Sequence, residues 1–144
     1  MINKAKSYLL KTALREYGVT EIPGIENNPR ILQYFEDIGQ KWVQDDETAW
    51  CSAFLNWCCM WSALPYSGKL DARSWLNVGE KTTKPEQGDI AIFWRESRAS
   101  WKGHVGIFIN TMDDKINVLG GNQNNGVCIA PYPKHRLLEY RCLA

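Results

Sequence analysis

Among cysteines 51, 58, 59, 128 and 142, Cys51 has the surroundings of a nucleophile. The preceding segment, Asp45-Asp46-Glu47-Thr48-Ala49-Trp50, is polar and irregular, whereas Ser52 to Leu64 is apolar almost all the way round. That places one thiol at the mouth of a buried helix. A helix N-terminus carries roughly half a positive elementary charge and unpaired N–H groups, which favour a thiolate and lower a cysteine pKa below its free value of about 8.5. Such a nucleophile needs a base to take its proton and a third polar group to fix the base's tautomer. Of the two histidines, His104 follows Lys102-Gly103 at the start of an apolar run, where its ring can emerge at a sheet edge while Val105, Ile107 and Ile109 face the core. His135, within the polar, proline-bearing stretch Pro131-Tyr132-Pro133-Lys134-His135-Arg136, reads as a surface residue. The run Ile116–Leu119 ends in Gly120-Gly121-Asn122-Gln123, whose glycines let the backbone approach closely. Asn122 is the best candidate to accept from the imidazole N–H and Gln123 the second, although Gly-Gly-Asn-Gln is also ordinary turn chemistry.

The other four thiols read as packing residues. Cys58 and Cys59 lie on the same helix as Cys51, roughly 10 to 12 Å deeper at 1.5 Å per residue, and Cys128 and Cys142 belong to late strands. Asp89, in Gln87-Gly88-Asp89, resembles a turn residue with a structural hydrogen bond. Trp50, Trp75, Trp94 and Trp101 fall near these segments, and Arg73 and Ser74 precede Trp75. Core packing is the default for each tryptophan, but two or more exposed together would suit sugar rings or a peptide, with Arg73 or Arg95 pairing a carboxylate. Trp50, Arg73, Trp75 and Gln123 are accordingly the candidate substrate contacts.

The elements that must position these residues follow from the patterning. Ala5, Tyr8, Leu9, Ala13 and Leu14 recur at helical spacing, predicting a first helix over about residues 3–17, closed by Gly18. After a loop with Pro23 and Gly24, Asn28-Pro29 forms a cap and first turn, and Ile31, Tyr34, Phe35 and Ile38 stripe a second helix ending at Gly39. The third helix, from Cys51, is apolar on every side and so central. A short helical turn is expected at Asp71 to Val78, and then β-branched and aromatic runs at 88–94, 104–109, 116–119, 127–130 and 137–141 read as about five consecutive strands. Helices first and strands afterwards predict one α+β domain over residues 1–144, an antiparallel sheet packed on the central helix.

Composition narrows the function. With 17 Lys+Arg against 16 Asp+Glu and no block of one sign, nothing marks a nucleic-acid or anionic-membrane partner. An odd cysteine number, no CxxC and two histidines argue against a zinc site or a full disulfide framework, and no metal or organic cofactor is required. The N-terminus has neither an uninterrupted apolar region nor a small-residue cleavage site, so synthesis in the cytoplasm without a standard export signal is expected, and no run is long enough for membrane insertion.

The order Trp50-Cys51-Ser52-Ala53-Phe54, Pro85-Glu86-Gln87-Gly88-Asp89-Ile90, Gly103-His104-Val105-Gly106 and Gly120-Gly121-Asn122-Gln123 resembles the NlpC/P60 and CHAP superfamily, nearest its small bacterial and phage branch with a WCSAFVNW-like motif. The resemblance spans about residues 40 to 142. It implies a papain-like fold and a cysteine hydrolase cutting amide bonds of peptidoglycan. Mapped here, Cys51 is the nucleophile, His104 the base and then the acid, and Asn122 the orienter, where many relatives carry His, Glu or Asp. The Cys51 N–H is a reasonable oxyanion donor, with a group from the Asp45–Trp50 loop as a second. A monomer acting on peptidoglycan or its muropeptides follows, reaching the wall as a phage endolysin or a secreted antibacterial effector, the latter implying an immunity protein. The alternatives are an intracellular papain-like peptidase or acyltransferase on another substrate, and a non-catalytic binding module.

Overall fold

In a computed structural model, which describes residues 3–22, 27–40 and 49–144, helices come first and strands follow. Helix α1 (Lys4–Leu14) starts at Asn3, whose side chain accepts from the Lys6 N–H. It stops three residues short of the predicted end. Helix α2 (Pro29–Asp37) starts as its sequence predicts, Asn28 accepting from the Arg30 N–H and Pro29 filling the first turn. Helix α3 (Cys51–Trp61) is buried from Cys51 to Cys59, and its N-cap, Trp50, provides no side-chain cap. The N–H groups of its first turn are therefore left for other acceptors. A 3-10 turn occupies Ala72–Asn77. Among the described residues no helix is long and apolar enough to cross a membrane.

Six strands follow among the described residues: β1 (Glu80–Thr82), β2 (Ile90–Trp94), β3 (Gly103–Met112), β4 (Lys115–Gln123), β5 (Gly126–Pro133) and β6 (Leu137–Cys142). They form one antiparallel sheet in the order β1-β6-β2-β3-β4-β5. Strand β1 adds an element that its sequence, Glu-Lys-Thr, does not announce, because backbone pairing of Glu80–Thr82 with β6 creates it.

The sheet separates two apolar clusters. Ile90, Ile92, Val105, Ile107 and Leu119 pack with the helices, whereas Ala91, Phe93, Phe108, Ile116 and Val118 pack on the opposite face with Tyr132, Leu137 and Tyr140. The second face is buried because the sheet curls. Strands β2 and β5 are separated by β3 and β4, yet Phe93 and Tyr132 stack at 5.0 Å between ring centroids. Register shifts within β2/β6, β3/β4 and β4/β5 supply the bending.

Two polar networks fix the helices to the rest. Ser52 and Asn56, one turn apart on α3, donate to the Lys69 carbonyl, and Trp75 donates to the Ser52 hydroxyl at 2.9 Å. The buried Lys6 amine lies 3.0 Å from Glu86 and from Asp89, and Asp89 also accepts from the Glu86 N–H. Burial opposes the Lys6 charge, but the Glu86 and Asp89 carboxylates raise its pKa above the usual lysine range. Asp89 thus has the structural role its turn position indicates.

Candidate active site

Cys51 is the first residue of α3 and is buried, its sulfur facing the backbone N–H groups of Val105 and Ser52. The N–H at Val105 brings the helix mouth to the residue after His104. His104, at the start of β3, is 5 % exposed and lies on the face of the sheet opposite Val105, its ring stacked on Tyr132 at 4.6 Å and 17°.

The hydrogen bond expected of Asn122 is made by Gln123. The His104 Nε2 lies 2.8 Å from Gln123 Oε1, while Gln123 Nε2 donates to the carbonyls of Cys128 at 2.7 Å and Val118 at 3.3 Å. Those two acceptors fix the amide's orientation, so its oxygen must accept and His104 Nε2 must carry the proton. Nδ1 is then the unprotonated nitrogen. The switch from residue 122 to 123 has a backbone cause: the β4/β5 register shifts between Gly120 and Gln123, and Asn122 adopts φ +57°. A bulge interrupts the alternation that would otherwise turn Asn122, not Gln123, to the His104 side. Gly120 makes the contact possible, since a Cβ there would come within 2.7 Å of Gln123 Oε1. Gly121 lets β4 press against α3, where a Cβ would meet Trp50 at 2.7 Å and Phe54 at 2.8 Å.

Electrostatics overturn the expectation of a depressed thiol pKa. Burial pushes the Cys51 thiol up, and the N–H groups of Val105 and Ser52 and the Arg95 charge offset this only in part. Burial likewise pulls His104 down to about 4, against the Gln123 hydrogen bond that raises it. Desolvation outweighs the helix terminus, and both groups rest neutral.

Two recesses flank the pair. One, of about 280 Å³, is lined by Phe93, Trp94, Arg95, His104, Asn122, Tyr132 and Arg136. The other, of about 250 Å³, includes Cys51, Leu70, Asp71, Arg95, Trp101 and Lys102. Arg95 belongs to both.

A family model described as CHAP domain matches residues 43–122, more than half of the chain. The chain belongs to the CHAP domain family. No curated protein matches this CHAP domain. Among solved structures it is similar to a Staphylococcus aureus protein described as similar to lipoprotein, NLP/P60 family, with a TM-score of 0.58 and 13 % identity. The similarity covers all of this chain and 43 % of that one, so the chain spans less than half the length of that neighbour. The likeness is one of fold, and it agrees with the α+β architecture predicted from the sequence.

The four residues expected as substrate contacts in this CHAP domain have internal partners instead. Trp50 is fully buried and donates to Glu21, and Trp75 is fully buried on Ser52, so neither ring offers a face to a ligand. Arg73 spends its guanidinium on the carbonyls of Ser97, Arg98 and Lys102, where it shapes the loop before β3. Gln123, expected as a substrate contact, is 3 % exposed and faces His104. Asn122 does line the His104 recess, and the exposed Trp101 borders the Cys51 recess. Residues 45–48, expected to offer an oxyanion donor, lie outside the described residues. Tyr132 escaped the sequence reading because its signal, an aromatic between Pro131 and Pro133, looks like a loop; the curl of the sheet brings it to His104.

Proposed function

We propose that this CHAP domain is a cysteine amidase or endopeptidase that cuts amide bonds in the peptide stem of peptidoglycan. The observations that carry the reading are the Gln123–His104 Nε2 contact, which leaves Nδ1 unprotonated, and the Cys51 sulfur at the start of α3 facing the N–H of Val105, the residue after His104. In the reaction, Nδ1 takes the Cys51 proton as Sγ attacks the scissile carbonyl. The N–H of Cys51, at an uncapped helix start, stabilises the oxyanion. The tetrahedral adduct collapses to a thioester, the C–N bond breaks, and the imidazolium returns the proton to the departing amine. Water, deprotonated by His104, then adds to the thioester, and Cys51 leaves as a thiol with the proton held on His104.

The His104 recess carries Arg95 and Arg136 and no carboxylate, which supports a substrate bearing carboxylates, as stem peptides do. Asn122 is a secondary contact in that recess, assisting substrate rather than the imidazole. Delivery to the wall as a phage endolysin, or as a secreted antibacterial effector countered by an immunity protein, belongs to the same reading.

The deciding experiment incubates purified protein with peptidoglycan sacculi and identifies released muropeptides by mass spectrometry. New amine and carboxyl termini in the stem, absent with Cys51→Ala and His104→Ala, are expected. Intact sacculi, with cleavage of an unrelated peptide instead, would move the enzyme to a non-wall substrate.

A further inference from the structure

The tryptophans account for the fold unevenly: Trp50 and Trp75 are core, and Trp94 and Trp101 border the recesses already described. Trp57 and Trp61 stand apart, toward the far end of α3. With Tyr8, Thr12 and Arg15 of the α1 region and Arg30 and Gln33 of α2 they enclose a recess of about 290 Å³, with no residue in common with the Cys51 and His104 recesses.

Its construction is that of a ligand site. Trp57 forms the floor and is held on three sides: its Nε1 donates to Asp37 at 2.8 Å, Tyr34 packs on it at 5.0 Å, and the Arg30 guanidinium covers a face at 4.9 Å. Arg30 is in turn clamped by Glu16 at 2.6 and 3.0 Å, and Tyr34 donates to the same carboxylate. Against this rigid floor, Trp61 is 61 % exposed and Tyr8 63 % exposed. The Trp61 ring stands at 63° to that of Trp57, making an aromatic corner.

The polar rim indicates what the corner holds. Glu16 is consumed by Arg30 and Tyr34, whereas among the described residues Arg15 has no side-chain partner and the Gln33 NH₂ donates to nothing. The lining is thus two open aromatic faces and outward donors. A peptide strand would need free backbone groups to pair with, and the walls are helices whose backbone is internally bonded. A sugar ring needs an apolar surface for its C–H face and donors for its hydroxyls, and both are here.

We propose that the recess between α1, α2 and α3 is a saccharide-binding site that takes a pyranose ring of a glycan chain. This extends the peptidoglycan reading to the glycan strand and rests on that reading for the choice of polymer. Trp61 lies ten residues along α3 from Cys51, about 15 Å by helical rise, so a bound glycan would hold the enzyme on its substrate without occupying the cleft.

The test uses isothermal calorimetry with a peptide-free β-1,4-linked N-acetylglucosamine tetramer. Saturable binding is expected for the wild type and for Cys51→Ala alike, weakened about tenfold in Trp61→Ala and in Tyr8→Ala, the loss of one aromatic contact. Turnover of a soluble, glycan-free stem peptide should be unchanged in both recess variants. Absence of saturable binding by the wild type, or undiminished wild-type affinity in both variants, overturns the proposal. A protein that binds the tetramer but cuts no stem peptide would retain the saccharide site and refute the hydrolase reading, so the two fail separately.

Discussion

With its Nε2 proton committed to Gln123, His104 has one nitrogen free to act as a base. Gln123→Ala removes the lock and lets the ring carry its proton on the wrong side; kcat is expected to fall about 10²-fold, the lower range of a general base's contribution. Asn122→Ala should cost less, since its side chain lines the recess without touching the imidazole nitrogen, and steady-state kinetics on purified muropeptides separate the two. The state of the thiol is a second residue-level expectation. Because burial raises Cys51 and lowers His104, alkylation of Cys51 in the folded protein should climb with alkaline pH. Iodoacetamide labelling quantified by peptide mass spectrometry checks this; a plateau already reached in mild acid would reveal a thiolate–imidazolium pair. The helix-mouth argument from sequence contained one of two opposing effects, and depth of burial, the larger one, is a property of the assembled layers.

Helix α3 and strand β4 approach each other closely at Gly121, and an alanine there would collide with Trp50 and Phe54. Gly121→Ala should destabilise the fold by about 1–3 kcal/mol, as overpacking does, read from urea denaturation midpoints. Gly120→Ala differs: its Cβ meets the Gln123 amide, so activity should fall more than stability. At the other end of the helical layer, Asp89→Ala removes the buried partner of the Lys6 amine and leaves it only the half-exposed Glu86, which should cost about 3 kcal/mol. The helices were legible because caps and stripes are local, as Asn28-Pro29 shows. Strands β2 to β6 were legible from their apolar runs, but β1 was not, since Glu-Lys-Thr has no pattern of its own and depends on β6. The same limit displaced the imidazole's hydrogen-bond partner by one residue: Cys51 and His104 stand at element starts, which local sequence marks, whereas Gln123 follows a bulge set by pairing with β5. Tryptophan count likewise says nothing of which rings end up inside.

At the scale of the molecule, burial of a neutral His104 couples stability to pH. Its folded pKa, about 4, is below the ordinary value of 6.5, so between these values the unfolded chain binds a proton that the folded chain refuses. Stability is therefore full above about pH 6.5 and is lost as pH falls toward about 4, by an amount on the order of 3 kcal/mol from this group. Urea titrations across that window should show the decline, and His104→Gln should flatten it. The buried thiols Cys51, Cys58 and Cys59 are all raised by burial, so their contribution is present at neutral pH and is lost in alkali. The fold is thus most stable near neutrality.

The enclosure of Cys51 has a chemical corollary. Peroxide and other oxidants attack the thiolate, and exposed low-pKa cysteines are the first to become sulfenic acid. Cys51, 6 % exposed and held as a thiol, resists that attack. Burial alone therefore shields the resting thiol from oxidative inactivation.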